Sequence, residues 1–420
     1  MKLKSFFITV LSLVFGCLYT QTTKRVLFLG NSYTAVNNLP QLVASVASSA
    51  GDSVIYDSNT PGGYTLQGHS SDANSLSKIT IGNWDFVVLQ EQSQMPSFPI
   101  GQVQSSVFPY AKKLDSLILA ANPCTETMFF MTWGRKNGDA SNCSVWPPVC
   151  TYEGMDSLLH LRYMMMTDSN HAVVSAVGAV WNYLRINYPM MDLYQSDGSH
   201  PSMEGSYAAA CCFYSSLFRK DPNLITFNSS LSAADAGVIR SAVKTVIYDS
   251  LLKWSIGKHD PVAYFSFNSS GNNFSFTNTS ENASQFSWDF GDGNTSNGIS
   301  PGHTYAASGT YTVTLQAQEC GLSDTFSYVI NVFTAQMEDN SLQKELIAFP
   351  NPVSTTISFR TDLPKVNTIE ATDIFGKVYS IKFENHSQLV SADLTELKQG
   401  VYFLHLFFDD GVKKIKIVKQ

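Results

Sequence analysis

Two short segments, far apart in a chain of 420 residues, carry the residue types that nucleophilic catalysis needs. The first is Gly30-Asn31-Ser32-Tyr33-Thr34, which follows the apolar run Val26-Leu27-Phe28-Leu29. A glycine there permits a sharp turn that leaves the Ser32 hydroxyl exposed at a strand's end. The second is Asp197-Gly198-Ser199-His200-Pro201. A spacing of three within a turn sets Asp197 against one ring nitrogen of His200 and leaves the other free to face Ser32. A hydroxyl is a weak nucleophile until a base takes its proton, and that base needs an acidic partner to hold its tautomer. Each segment alone also reads as ordinary turn chemistry, with Ser32 and Asp197 as caps and His200 as a surface residue.

The elements that must position these residues are legible between 25 and 255. Consecutive apolar positions predict strands at Arg25–Leu29, Val54–Asp57, Asp85–Gln90, Thr127–Thr132 and Ala172–Val177. Amphipathic stretches predict helices near 39–50, 103–121, 154–167, 203–217 and 232–254. Doubly apolar strands alternating with helices argue for a parallel sheet covered on both faces. In such a sheet chemistry gathers at the carboxyl ends of the strands. Ser32 follows the first of them, and Trp133-Gly134-Arg135 ends the fourth, placed to line the same cleft. Core packing is the competing role for Trp133.

Taken together, Gly30-Asn31-Ser32 and Asp197-x-x-His200-Pro201 resemble the first and last blocks of the SGNH (GDSL-like) hydrolase superfamily, and the resemblance covers residues 24–255. It implies an α/β fold with a flavodoxin-like parallel sheet. It makes Ser32 the nucleophile, His200 the general base and Asp197 its orienting partner. The family holds its oxyanion with the nucleophile's own amide, a glycine amide and an Asn side chain. Ser32 and Gly63 of Pro61-Gly62-Gly63 supply the amides by this resemblance, although Pro-Gly-Gly is also plain turn chemistry. The Asn is absent: the third block reads Gln90-Glu91-Gln92-Ser93-Gln94. A Gln amide donates the same bond from one methylene further. Gln90 is favoured and Gln92 is next, on one face if the strand continues, while an ungapped alignment points to Gln94. His69, after Gly62-Gly63-Tyr64-Thr65-Leu66, reads as a loop or helix-surface residue.

The texture changes near Pro261, where Ser, Asn, Thr and aromatics replace the helical pattern. Short alternating strands such as Tyr311–Leu315 predict an all-β sandwich. Trp288-Asp289-Phe290-Gly291-Asp292-Gly293, His303-Thr304-Tyr305 and Gly309-Thr310-Tyr311 resemble a PKD domain over 261–333. Asp289 and Asp292 read as turn caps before they read as calcium ligands. A polar linker is expected at 334–346 and a second all-β module at 347–420. Phe349-Pro350-Asn351-Pro352, Asp373-Ile374-Phe375-Gly376-Lys377 and Gly400-Val401-Tyr402 resemble the C-terminal sorting domain of type IX secretion substrates of Bacteroidota. The resemblance implies the type IX secretion machinery as a partner.

Lys2 and Lys4 before the apolar run Ser5–Leu18 predict a secretory signal peptide over 1–21, with lipidation at Cys17 a minor option. The expected destination is the medium or cell surface of a Gram-negative bacterium, with no membrane span after signal cleavage. The six remaining cysteines suggest disulfides, and Cys143 and Cys150, bracketing Trp146-Pro147-Pro148, form the easiest pair. Metal binding is disfavoured, because no CxxC spacing or His cluster accompanies them. A net charge of −7 with no basic stripe argues against nucleic acid. No cofactor is expected. The expected activity is ester hydrolysis, with acetyl or other small acyl groups on glycans, or a small ester, as substrate. The rivals are a lipase or thioesterase, which an apolar lid would favour, and a surface glycan-binding or adhesion protein with a degenerate SGNH domain.

Overall fold

Runs of Val, Leu and Phe that cannot face water on either side dictate the centre of the N-terminal domain. Val26, Leu27 and Phe28 are fully buried, as are Val87, Leu89, Met128, Phe129 and Phe130. Burying one such side chain contributes about 1.5–3 kcal/mol, so this row anchors the domain. The computed structural model describes residues 21–333, 347–360, 365–373, 376–386, 389–409 and 411–420. The expected signal peptide, but for its last residue, and the expected linker lie outside the described residues.

The five strands are β1 (Thr23–Leu29), β2 (Ser53–Asn59), β3 (Phe86–Leu89), β4 (Glu126–Phe130) and β5 (Val173–Ser175). They form one parallel sheet in the order β2-β1-β3-β4-β5. This is the flavodoxin-like order, in which the connections diverge on either side of β1 and open a crevice beyond the strand ends at β1/β3. The helices include α1 (Ser32–Ala35), α2 (Leu39–Ser49), α3 (Leu66–His69), α4 (Ala73–Thr80), α5 (Ile100–Ser106) and α6 (Phe108–Ala121). They continue with α7 (Tyr152–Ser169), α8 (Val177–Asn187), α9 (Met203–Phe218) and α10 (Ala233–Val246).

Several boundaries differ from expectation. The helix expected at 103–121 is two, α5 and α6, broken at Val107 with Pro109 in the first turn of the second. Proline has no N–H to donate and fits only a first turn. α8 is absent from the sequence reading, because the apolar run 172–180 shows no period that separates strand from helix. The helix expected at 232–254 ends at Val246 and gives way to a 3₁₀ segment, Tyr248–Trp254.

Residues 257–420 form a second compact unit. Its first part is a sandwich of a three-stranded and a four-stranded antiparallel sheet. The longest hairpin there pairs Gly309–Glu319 with Leu322–Val332 across Cys320-Gly321. Both turn residues take positive φ, as a tight hairpin turn requires. Asp289 and Asp292 cap turns, accepting from the Gly291 and Asn294 amides, and Asp292 also meets His303 at 2.8 Å. Its second part has two four-stranded antiparallel sheets, with strands Gly400–Phe408 and Gly411–Lys419 paired along their length. The two parts touch: the Tyr264 hydroxyl donates to the Lys414 carbonyl at 2.6 Å, and Lys416 pairs with Glu281. Among the described residues, no helix is long and apolar enough to cross a membrane.

Candidate active site

β1 delivers the chain to Gly30, whose amide donates to the Asn59 carbonyl at the end of β2. Gly30 is required for space: a Cβ there would stand 2.4 Å from Thr34 Oγ1 and 2.7 Å from Gln90 Oε1. Asn31 then caps α1, its side chain accepting from the Tyr33 amide at 3.1 Å. Its Nδ2 donates to the Tyr64 carbonyl at 2.8 Å, which ties the Gly63 loop to the Ser32 turn. Ser32 opens α1 and faces the pocket.

The partner segment lies between α8 and α9 and folds back on itself. Gln195 donates to the His200 carbonyl, and Gly198, at φ +65°, donates to the Gln195 carbonyl. Asp197 Oδ1 accepts from the Ser199 and His200 amides at 2.9 and 3.0 Å. Its Oδ2 lies 2.5 Å from His200 Nδ1. A carboxylate only accepts, so Nδ1 carries a proton, and in the neutral ring Nε2 is the nitrogen with a lone pair to accept. That Nε2 stands 2.9 Å from Ser32 Oγ. Burial works against the Asp197 charge, but the His200 ring and the two amides together hold the carboxyl below its ordinary range.

An aromatic column fixes this relation. Tyr33 stacks on Trp133 at 4.8 Å, and Trp133 stacks on Trp181 at 3.7 Å. Trp133 is fully buried, so it belongs to the core, yet its Nε1 donates to the Ser199 carbonyl at 3.1 Å. The Tyr33 hydroxyl meets Ser199 Oγ at 2.7 Å. Burial raises the Tyr33 pKa, so its hydroxyl stays protonated. Asn37, which the sequence reading passed over, donates from Nδ2 to the Pro201 and Ser202 carbonyls at 3.3 and 3.0 Å. Its left-handed φ of 55° is a conformation Asn tolerates.

The pocket has a volume of about 260 Å³ and is lined by Ser32, Gly63, Gln92, Arg135, Ser199 and His200, among others. Among the described residues the amides of Ser32 and Gly63 make no hydrogen bond. Gln90 does not line the pocket. It is fully buried, its Oε1 accepts from the Asn31 amide and Thr34 Oγ1, and its Nε2 donates to the Glu91 carbonyl. Gln92 does line it: its Oε1 accepts from the Gln94 and Met95 amides, and its Nε2 donates one of two hydrogens to Gln94 Oε1. Gln94 turns away to Asp139.

Two buried side chains brace these loops. His69, expected on a surface, is fully buried. Its Nε2 donates to the Gly30 carbonyl at 2.9 Å and its Nδ1 accepts from Ser75 Oγ at 2.7 Å. α3 turns its His69 face inward under the nucleophile turn, which the surface expectation missed. Glu91 is also fully buried and accepts from the Leu66 and Gln92 amides. Burial pushes its carboxyl up to about 8, against the pull of those amides. Cys143 and Cys150 are bonded to each other, while Cys211 and Cys212 are buried thiols in α9. Among the described residues no cluster of His, Cys, Asp and Glu could hold a metal ion.

Residues 260–332 match the model of the PKD domain, and residues 347–420 match that of the secretion system C-terminal sorting domain. The chain carries both modules, and the second marks it for type IX secretion to the medium or the cell surface. No curated protein matches the chain. In structure, the N-terminal region resembles SGNH and GDSL hydrolases. Among solved structures, a DUF4886 family protein from Bacteroides uniformis is 16% identical, over 55% of this chain and 95% of that one, with a TM-score of 0.47. A candidate SGNH hydrolase from Slackia heliotrinireducens is 24% identical, over 46% of this chain and 97% of that one, with a TM-score of 0.38. The PKD1 domain of the Vibrio cholerae metalloprotease PrtV is 38% identical, over 18% of this chain and 99% of that one, with a TM-score of 0.18.

Proposed function

We propose that the N-terminal domain is a serine ester hydrolase that removes acetyl or other small acyl groups from glycans outside the cell. The observation that carries this reading is the unbroken relay from Asp197 through His200 to Ser32 at the wall of a pocket. In the reaction, Ser32 Oγ attacks the acyl carbonyl while His200 Nε2 takes its proton. The resulting oxyanion is held by the Ser32 and Gly63 amides and by the second hydrogen of Gln92 Nε2. Collapse breaks the ester C–O bond, and the alcohol leaves with the proton from His200. Water, deprotonated by the same nitrogen, then cleaves the acyl-enzyme.

The cavity of about 260 Å³ suits a short acyl group and part of a sugar better than a long lipid chain. The sorting domain supports an extracellular substrate. Hydrolysis of 4-nitrophenyl acetate by the purified chain tests the reading. Ser32→Ala and His200→Ala should each lower turnover by about 10³-fold or more, since the two act as a unit. Undiminished hydrolysis by either folded variant would overturn it.

A further inference from the structure

Arg135 is the one permanently charged side chain among the residues that line the pocket. Its place is built. Gly134 packs so closely against α7 that a Cβ would stand 2.9 Å from the Tyr152 carbonyl, and this fixes where the next residue emerges. Behind Arg135 lies Asp139, whose side chain is fully buried. Asp139 accepts from Gln94 Nε2 and Asn142 Nδ2, each at 2.6 Å, and from the Ser141 amide at 3.2 Å. Arg135 Nη1 is its longest contact, at 3.3 Å. The carboxylate is thus satisfied mainly by the amides. It steadies the guanidinium without consuming it. Asp139 is tied by its backbone to the ring that the Cys143–Cys150 disulfide closes: its amide donates to the Val149 carbonyl and its carbonyl accepts from the Cys143 amide.

The guanidinium has five N–H groups. Its Nε is buried and bonded to nothing among the described residues. That atom is sealed from the pocket, so a ligand would meet the terminal nitrogens, of which Nη1 alone bonds to protein among the described residues. The whole chain carries −7, so its far field repels acidic molecules, and a local cation is what would hold one in place.

We propose that Arg135 is a specificity residue that receives a carboxylate on the substrate, so that the site prefers acidic acyl esters, such as O-acetylated uronic acids, to neutral ones. This rests on the ester hydrolase reading. The carboxylate sits either on the alcohol side, as a uronic acid, or on the acyl side, as a dicarboxylic half-ester.

The test compares kcat/KM for matched pairs: O-acetylated methyl galacturonoside with its carboxylate free against O-acetylated methyl galactoside, and 4-nitrophenyl hemiglutarate against 4-nitrophenyl butyrate. One of the pairs should show an acidic preference of about 10- to 100-fold, the range for one hydrogen-bonded charge, and which pair shows it identifies the side. In Arg135→Met, which keeps the packed stem, that ratio should collapse to about one or below. Arg135→Lys, which keeps charge but loses the fork, should fall between. Ratios near one in the wild type, or a ratio unchanged in Arg135→Met, would overturn the proposal while leaving ester hydrolysis standing. Calorimetric binding of methyl galacturonoside with its carboxylate free, and of free glutarate, to wild type and Arg135→Met separates the two readings. Binding that needs Arg135 in a chain that cleaves no ester would sink the hydrolase reading and keep the anion site. Binding of neither, in a chain without turnover, would end both.

Discussion

The Tyr33 hydroxyl lies 2.7 Å from the Ser199 hydroxyl, so the residue after the nucleophile is bonded to the residue before the base. Nucleophile and base sit on different loops, α1 after β1 and the turn before α9, and this bond is one of the few that crosses between them. Tyr33→Phe keeps the stack on Trp133 and removes only the bond. Its loss should lower kcat about 3- to 10-fold while KM holds, the cost of one neutral hydrogen bond. The thermal midpoint should move little. A fall in the midpoint with kcat unchanged would make Tyr33 a packing residue alone.

The two glutamines of the third block should separate by what they lose. Gln92→Ala is expected to lower kcat about 10²-fold, as for one oxyanion donor. Gln90→Ala strands the buried Asn31 amide and the Thr34 hydroxyl, so unfolding should become easier by about 1–3 kcal/mol. Activity and urea melts on both variants check this. Normal turnover in Gln92→Ala would leave the oxyanion to the backbone amides.

Glu91 makes stability depend on pH. Folded, its carboxyl holds its proton up to about 8. Unfolded, it ionises near about 4.3. Between the two, unfolding releases a proton, so stability falls as pH rises, by at most about 1.4 kcal/mol per pH unit from this group. The cost is absent below the lower value and complete above the upper. Glu91→Gln removes the titration and keeps an acceptor oxygen. Urea midpoints between about pH 5 and about pH 8 should show the wild type losing ground to the variant. Parallel curves would contradict a neutral buried acid.

The sequence displayed the sheet and the residues Ser32, Asp197 and His200 because each is fixed by local chemistry: consecutive apolar strands, a turn after β1, and a three-residue spacing closed by Gly198. What it hid depends on where a chain leaves its element. The alternation that grouped Gln90 with Gln92 holds only inside a strand, and β3 ends at Leu89. Beyond it the two side chains part, one inward and one to the pocket. His69 was hidden for a related reason. Polar neighbours suggest a surface, but a buried histidine is satisfied by two tertiary partners, Gly30 and Ser75, that lie on other segments. Arg135 stood visible at the end of the fourth strand, while Asp139, which aims it, is held by Asn142 of its own loop and by Gln94 from a distant segment.

The central claim is that His200 activates Ser32 for attack. The most direct measurement is covalent labelling with a fluorophosphonate, followed by peptide mass spectrometry of wild type, His200→Ala and Asp197→Asn. Label should appear on the peptide that holds Ser32 in the wild type, vanish in His200→Ala and persist weakly in Asp197→Asn, where the base is present but poorly oriented. Label on another residue, or none on folded wild-type protein, would contradict it.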